Sequence, residues 1–408
     1  MLYFYSTYNK ITLTKGSTRC SNIITRKCIY YTDTSKSIID LALNQQLDYI
    51  ESNAKGIVLQ IITAELVHRG IIIPVDKRAC EEEYLNKITL ILPINPTFFK
   101  CTHIPDAALS IAEKGSVIFC GLPYDIGAKN PGTRFGPELL RSRSNTMIYK
   151  STKPSIIDLA TLKDIFHKKN VYDLGDINLP QDTISNSLNR IKDIVQLIPN
   201  TLIPFFIGGD HLLSISLIDG LYAKIKEKFS VVQLDSHLDV EIWGEFKNQV
   251  PKKLSPPTHA NFISWLKNKH PELDLYQIGV STYQSTDINY TEEVCGYLKN
   301  IGLQITNTEI LMSPFIEILK RIPNNQIVYL TIDIDVLNAV YMNATGYPSP
   351  MGISIKELLR IVDYITKHNT IIGIDIMEFG KTSKYDEHSL MSDIICDLIL
   401  TILKNILK

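Results

Sequence analysis

The chain carries almost no net charge with which to attract a polyanion. Its 42 Lys and Arg stand against 43 Asp and Glu, a formal charge of -1 over 408 residues. Bulk attraction to nucleic acid or to an anionic membrane surface is therefore not expected. Paired cysteines are also missing. Cys20, Cys28, Cys80, Cys101, Cys120, Cys295 and Cys396 are odd in number and scattered, with no Cys-x-x-Cys. That argues against a disulfide framework and for a reducing, cytoplasmic setting. The opening stretch, MLYFYSTYNKITLTKGS, has no basic segment leading into a long apolar one, so no secretory signal is read there. The most apolar late segment, DIICDLILTILKNILK, is broken by Asp397 and Lys404 and reads as a terminal amphipathic helix, not a membrane span. No internal repeat or low-complexity segment stands out.

What is present is an ordinary globular mix, 45% hydrophobic and 21% charged, long enough for one large or two moderate domains. Two textures divide it. Residues 1–112 mix short β-like runs with helical ones. SIIDLALNQQLDYI and GIVLQIITAELVHRG carry apolar residues at helical spacing, Gly70 is placed to stop the second helix, and IIIPV follows as a β-type segment. EEEYLNK reads as a solvated helix face. These features predict a small N-terminal α+β domain over 1–112 without a catalytic constellation.

From 113 to 408 the pattern becomes regular. SVIFCGL, TLIPFFI, SVVQL, LYQIGV, IVYLTID and IIGIDI are strand candidates. Between or after them lie helical stretches such as SNSLNRIKDIVQLI, LLSISLIDGLYAKIKEK, THANFISWLKNK, PFIEILKRI and SIKELLRIVDYITKH. Continuously apolar strands separated by helices predict an α/β domain with a parallel sheet covered on both faces. In such sheets the ligand site lies beyond the carboxyl ends of the strands.

Chemistry-bearing residues stand at those ends. TLIPFFI runs into GGDH, with His211. SVVQL runs into DSHLD, with Asp235, His237 and Asp239. IVYLT runs into IDID, with Asp333 and Asp335. IIGIDIM is followed by Glu378. Burying such a cluster without a counter-charge is costly. One zinc takes three or four protein ligands, often with Cys. Here six ligands are at hand, no Cys is near, and carboxylate outnumbers imidazole, which suits two harder cations such as manganese. Two metals about 3.5–4 Å apart lower the pKa of a shared water and make a nucleophile at neutral pH. A single Asp at a strand end is ordinarily a cap. Asp210 is read that way, and Asp375 as pointing away from the site or bracing a loop.

On these motifs the chain from about 115 to 408 resembles the ureohydrolases: arginases, agmatinases, formiminoglutamases and related guanidino hydrolases. GLPYDIGAKNPGTRFGPELLR is similar to the family's entrance motif. GGDH, DSHLD and TIDIDVLNAVYMNATGYPSPMG match its three metal motifs in order and spacing. The resemblance implies a three-layer arginase/deacetylase-like α/β fold with a central, mainly parallel sheet and two Mn2+ per chain. It implies that His211, Asp235, Asp239 and Asp333 hold one metal and Asp235, His237, Asp333 and Asp335 the other, Asp235 and Asp333 bridging. His259, in THANF, matches a histidine that passes a proton to the leaving amine or positions the guanidinium. Glu378 matches the glutamate that binds the guanidinium, a planar, always charged, bidentate group well suited to a carboxylate. The implied reaction is metal-assisted hydrolysis of a guanidino group to urea and an amine, with Asp239 orienting the attacking oxygen.

The chain departs from the family where Asp-Pro would close the third motif and Asn338-Ala339 stands instead, at Met351 in the same loop, and at Ser281 after QIGV. Glu241 replaces an Asn of the arginase pattern, and STYQST supplies no acid until Asp287. Contacts for the head group of free arginine are thus not evident. Two substrates remain: a small guanidino compound such as agmatine, or an arginine within a peptide, converted to ornithine. The N-terminal extension favours the peptide, as a peptide-recognition module, with an oligomerisation module weighed equally. Family members commonly form homo-oligomers. A single-zinc deacetylase of the same fold lacks this six-ligand set, and a non-catalytic metal-binding regulator would have lost ligands.

Overall fold

A computed structural model describes residues 90–407 except 93, 127–129, 149–154, 167–170, 180–182, 241–254, 284–290, 312, 314–316, 319 and 381–387. Before residue 90 it describes 3–5, 9–14, 17–22, 28–31, 66–67, 70–81 and 85. Two compact units divide after Ile94, not after 112. Residues 95–112 belong with the larger unit because Phe98 and Phe99 are fully buried and pack on Phe119, ring centroids 4.9 and 6.3 Å away.

In the smaller unit Asn9–Thr14, Ser17–Asn22 and Cys28–Tyr31 form an antiparallel sheet. Tyr3–Tyr5 pairs antiparallel with Ile72–Pro74, the strand expected at IIIPV. SIIDLALNQQLDYI lies outside the described residues, as does most of GIVLQIITAELVHRG. The latter's end is helical at Leu66 and Val67, and Gly70 stops it at φ 69°. The N–H groups of Gly70 and Ile71 close the turn by donating to the carbonyls of Val67 and Leu66. Of EEEYLNK only Glu81 and Leu85 are described, and Glu81 is buried instead of solvated.

Among the described residues the larger unit's main sheet has eight strands of five residues or more: β1 Val117–Leu122, β2 Val171–Ile177, β3 Ile203–Gly208, β4 Ser230–Leu234, β5 Asp274–Val280, β6 Leu303–Asn307, β7 Ile327–Asp333 and β8 Thr370–Met377. Their order across the sheet is β6-β5-β4-β7-β8-β3-β1-β2, and every neighbouring pair is parallel. The central strands are buried along nearly their whole length, which is why they read as continuous apolar runs. The helices are α1 Gly136–Met147, α2 Ile184–Leu197, α3 Ser214–Lys224, α4 Phe262–Lys269, α5 Thr291–Asn300, α6 Ile355–His368 and α7 His388–Ile406. Helix α7 packs with both α1 and α6, and α3 packs with both α2 and α4. Helix α6 starts at a capping box in which Ser354 and Glu357 satisfy each other's backbone N–H groups. No helix among the described residues is long and apolar enough to cross a membrane. Of PFIEILKRI, residues 317, 318 and 320–322 are described; 317 and 318 are helical and 320–321 lie in a turn.

Two strands carry no clear signal in the sequence. β2, VYDLGDI, buries Asp173 and Asp176, both ion-paired with the buried Arg141. β6 lies at the edge of the sheet and is largely half-exposed. The chain leaves β4 outward through β5 and β6, then returns to β7 on the other side of β4. Strands diverge at the β4/β7 boundary, where a crevice opens beyond their carboxyl ends.

Candidate active site

The site is assembled by four adjacent strands, β4-β7-β8-β3. GGDH turns sharply past β3 because other backbone lies against it. A Cβ on Gly209 would come 1.9 Å from the Tyr124 carbonyl oxygen, so only glycine fits. The Gly209 N–H donates to Leu122 O and the Glu378 N–H to Gly209 O, which ties the ends of β1, β3 and β8 together. Asp210 caps the turn, accepting from the Leu212 N–H at 2.9 Å, as expected.

Two groups of metal-ligand atoms converge. In the first, His211 Nδ1 lies 3.1 Å from Asp333 Oδ2, 3.3 Å from Asp235 Oδ2 and 3.7 Å from Asp239 Oδ2. In the second, His237 Nδ1 lies 3.0 Å from Asp335 Oδ2 and 3.5 Å from Asp235 Oδ1. His211, Asp235 and Asp333, and likewise Asp235, His237 and Asp335, bring their ligand atoms within 4.8 Å of one another. Asp235 offers one oxygen to each group, the arrangement a bridging carboxylate needs. Asp333 turns Oδ2 to the first group, while its Oδ1 accepts from the Asp335 N–H at 2.9 Å.

Charge at the site is unbalanced without added cations. Burial, then Asp235, pushes Asp239 well above the usual carboxylate range. Burial and the charges of Asp335 and Asp235 do the same to Asp333, and burial, Asp210 and Asp333 to Glu378. Burial opposes protonation of His211 and His237, but their carboxylate neighbours outweigh it and raise both. Burial also acts to raise Asp235, yet bonds from the two histidines hold it below its usual range. Two divalent cations would relieve this repulsion among the carboxylates, and the oxygen and imidazole donor set suits such ions.

A polar row beneath the ligands was not read from the sequence. Gln277, Gln233, Thr331 and Asp375 sit side by side in register on β5, β4, β7 and β8. Gln277 Nε2 donates to Gln233 Oε1 at 2.8 Å. Gln233 Nε2 then donates to Asp235 Oδ2 and Asp239 Oδ2, at 2.7 and 2.8 Å. The Thr331 hydroxyl donates to Asp375 Oδ1 at 2.5 Å. Its single proton being spent there, Thr331 accepts from His211 Nε2–H at 2.8 Å. That assigns the imidazole proton to Nε2 and leaves the Nδ1 lone pair for a metal. Asp375, expected to point away or brace a loop, braces His211 through Thr331, held also by Tyr329 and Ser214. The signal lay in the spacing: Gln233 and Thr331 stand two residues before Asp235 and Asp333, on the same side of their strands.

Glu378 and Asp239 both adopt left-handed backbone, φ 61° and 49°. Such strain in non-glycine residues gathers at functional sites. The Glu378 Oε1 accepts from the His211 N–H at 2.8 Å. His259 opens the short turn His259–Asn261, which is held by reciprocal bonds between Thr258 and Asn261; its Nδ1 is buried with no hydrogen-bond partner. A cavity of about 290 Å³ is lined by His237, Asp239, His259, Asp333, Asp335 and Glu378, and also by Leu238, Ala260 and Tyr347. All eight expected residues are therefore in one place, His211 and Asp235 contacting the others from below.

The departures are accounted for in part. Asn338 donates to Pro350 O at 2.7 Å and accepts from the Val340 N–H at 2.9 Å, which pins the loop itself. Met351 is exposed. The Ser281 N–H donates to Ser236 O. Glu241 and Asp287 lie outside the described residues. In the entrance motif Asp125 holds the loop by accepting from the Gly132 N–H at 2.6 Å and from Arg134 Nε at 2.5 Å.

Known proteins resemble this arrangement. Agmatinase of Bacillus subtilis (strain 168) is 28% identical over 298 residues, 72% of this chain and 93% of its own. Proclavaminate amidinohydrolase of Streptomyces clavuligerus is 25% identical over 301 residues, covering 69% and 84%. The solved structure of the latter enzyme superposes with a TM-score of 0.60 at 21% identity, covering 77% of this chain and 98% of its own. Arginase from Medicago truncatula superposes with a TM-score of 0.55 at 19% identity, covering 71% and 89%. Those two superpositions speak to the fold. The arginase family model matches residues 115–404. With that match across most of the chain, and the ligand clusters at the strand ends it spans, the chain belongs to the arginase family of metal-dependent guanidino hydrolases.

Proposed function

We propose that the chain hydrolyses a small guanidine with an amine-type tail, agmatine being the model, to urea and the corresponding amine, using two manganese ions. The observation that carries this is the convergence of ligand atoms from His211, Asp235, His237, Asp333 and Asp335 beside a cavity that Asp239 and Glu378 also line. Several relatives named agmatinase, at 26–28% identity, support the small-molecule reading. The alternative, an arginine within a peptide, rests on the N-terminal unit alone, and no described residue of that unit bears on substrate.

His211, Asp235, Asp239 and Asp333 would hold one cation and Asp235, His237 and Asp335 the other. Bound there, the pair supplies Lewis acidity and lowers the pKa of water. The rest falls to side chains. Glu378 Oε2 receives the guanidinium, its Oε1 being engaged by the His211 N–H. Asp239, steadied by Gln233, orients the attacking water. His259, which lines the cavity, hands a proton to the leaving amine. Urea release from agmatine, free arginine and an arginine-containing peptide, by manganese-loaded protein, tests the reading. Agmatine is expected to be turned over fastest; urea from the peptide alone would overturn the choice of substrate.

A further inference from the structure

One wall of the cavity has no part in the chemistry above. Tyr347 is a large aromatic residue left 37% exposed, yet it lines the cavity. Its ring centroid lies 5.6 Å from that of His259 at a 32° tilt and 6.3 Å from that of His237, edge-on at 78°. The segment carrying it is anchored after Tyr347 at Ser349, whose carbonyl accepts from the Ala339 N–H at 2.7 Å, and twice before it. Asn130 Nδ2 donates to Gly346 O at 2.9 Å, and the Gly380 N–H donates to Ala344 O at 2.9 Å. Gly346 keeps the approach to the carboxylate open, since even a Cβ there would come 3.6 Å from Glu378 Oε2. The ring is thus a fixed surface between the reacting end of the cavity and solvent.

We propose that Tyr347 determines specificity: the tail of the guanidine lies along its ring, and the ring face favours a tail ending in an ammonium over one ending in a carboxylate. The inference rests on the reading of this cavity as a guanidine site. Aromatic faces attract cations. No Lys or Arg is among the cavity's described lining residues, so a terminal carboxylate finds no partner there. The polar tip of tyrosine suits a position where one side of the ring is covered and the other wet.

The test uses full-length, manganese-loaded protein with agmatine, n-butylguanidine and 4-guanidinobutanoate. Titration calorimetry in the cold gives Kd, and urea release gives kcat and KM. Wild type is expected to bind in that order of decreasing affinity. Tyr347→Ala should weaken agmatine by about 2- to 30-fold in Kd and KM, the range of a lost cation–aromatic contact, with kcat and metal content little changed. Tyr347→Phe should behave as wild type. An unchanged Kd and KM in Tyr347→Ala, equal damage from Tyr347→Phe, tight binding of 4-guanidinobutanoate, or binding of none of the three would each overturn the proposal. If agmatine binds with the expected dependence on Tyr347 but releases no urea, the specificity role stands and the hydrolytic reading falls.

Discussion

The backbone N–H of His211 donates to the side chain of Glu378 at 2.8 Å. A ligand that follows β3 and an acid that follows β8 are thereby held as one unit. Glu378→Gln keeps an acceptor for that N–H but removes the charge facing the substrate. Metal content should stay at the wild-type level, while kcat/KM falls about 10- to 100-fold, the scale of losing a charged hydrogen bond. Loss of metal in this variant would show that the glutamate's charge, not its bond to His211, maintains the site.

Asp235 gives one oxygen to each ligand group. Asp235→Ala should therefore lower binding of both ions and abolish turnover. Metal analysis after gel filtration, alongside urea release, checks this. Full occupancy with retained activity would remove Asp235 from the centre.

The tautomer of His211 depends on Thr331, which passes the interaction to Asp375. Thr331→Val deletes the acceptor and keeps the shape. Outer partners of metal-bound histidines are typically worth about 10- to 100-fold in metal affinity. A manganese titration of that variant should show a weakening of this size. An unchanged titration would mean that Phe262, packed on the imidazole with ring centroids 4.5 Å apart, suffices to orient it.

His259→Ala should keep both metals and slow kcat by about 10²–10⁴, the usual contribution of a positioned proton donor. Single-turnover urea formation isolates the step, and an unaltered rate would leave the imidazole without a role in it.

Away from the site, Asp219 bonds Lys269 at 2.6 Å and His270 at 3.0 Å and also pairs with Lys192. Burial works to raise its pKa, but these bonds prevail and hold it at about 2, below the usual 3.8. A depressed folded pKa stabilises above the unfolded value and loses that effect as pH falls through the folded one. Stability from Asp219 should thus be complete above about pH 4 and decline toward pH 2. Asp219→Asn should cost about 1 kcal/mol at neutral pH. Denaturant melts should show this deficit shrinking at the acid end. A constant deficit at every pH would assign it to packing.

Much of this was legible along the chain. The apolar runs at β1, β3, β4, β5, β7 and β8 are strands, and β3, β4, β7 and β8 carry polar clusters at or just past their ends. β2 was not legible because its buried acids, Asp173 and Asp176, look solvated until Arg141 is brought against them. β6 was not legible because an edge strand buries too little to leave an apolar run. The unit boundary fell later in the sequence reading because residues 95–112 join the larger core through Phe98 and Phe99, contacts that no local pattern announces.

Ligand type and strand-end position are local properties, so the candidate metal ligands stand out along the chain. How they meet is set by the order of the strands across the sheet. The sheet order β4-β7-β8-β3 is not the chain order, so Gln233, Thr331 and Asp375 become neighbours only once the crossovers are made. The same holds for Tyr347, which no pattern in the sequence marks and which the fold makes a cavity wall. Hydrogen-bonded registry between distant strands places these groups, and no periodicity within one strand encodes it.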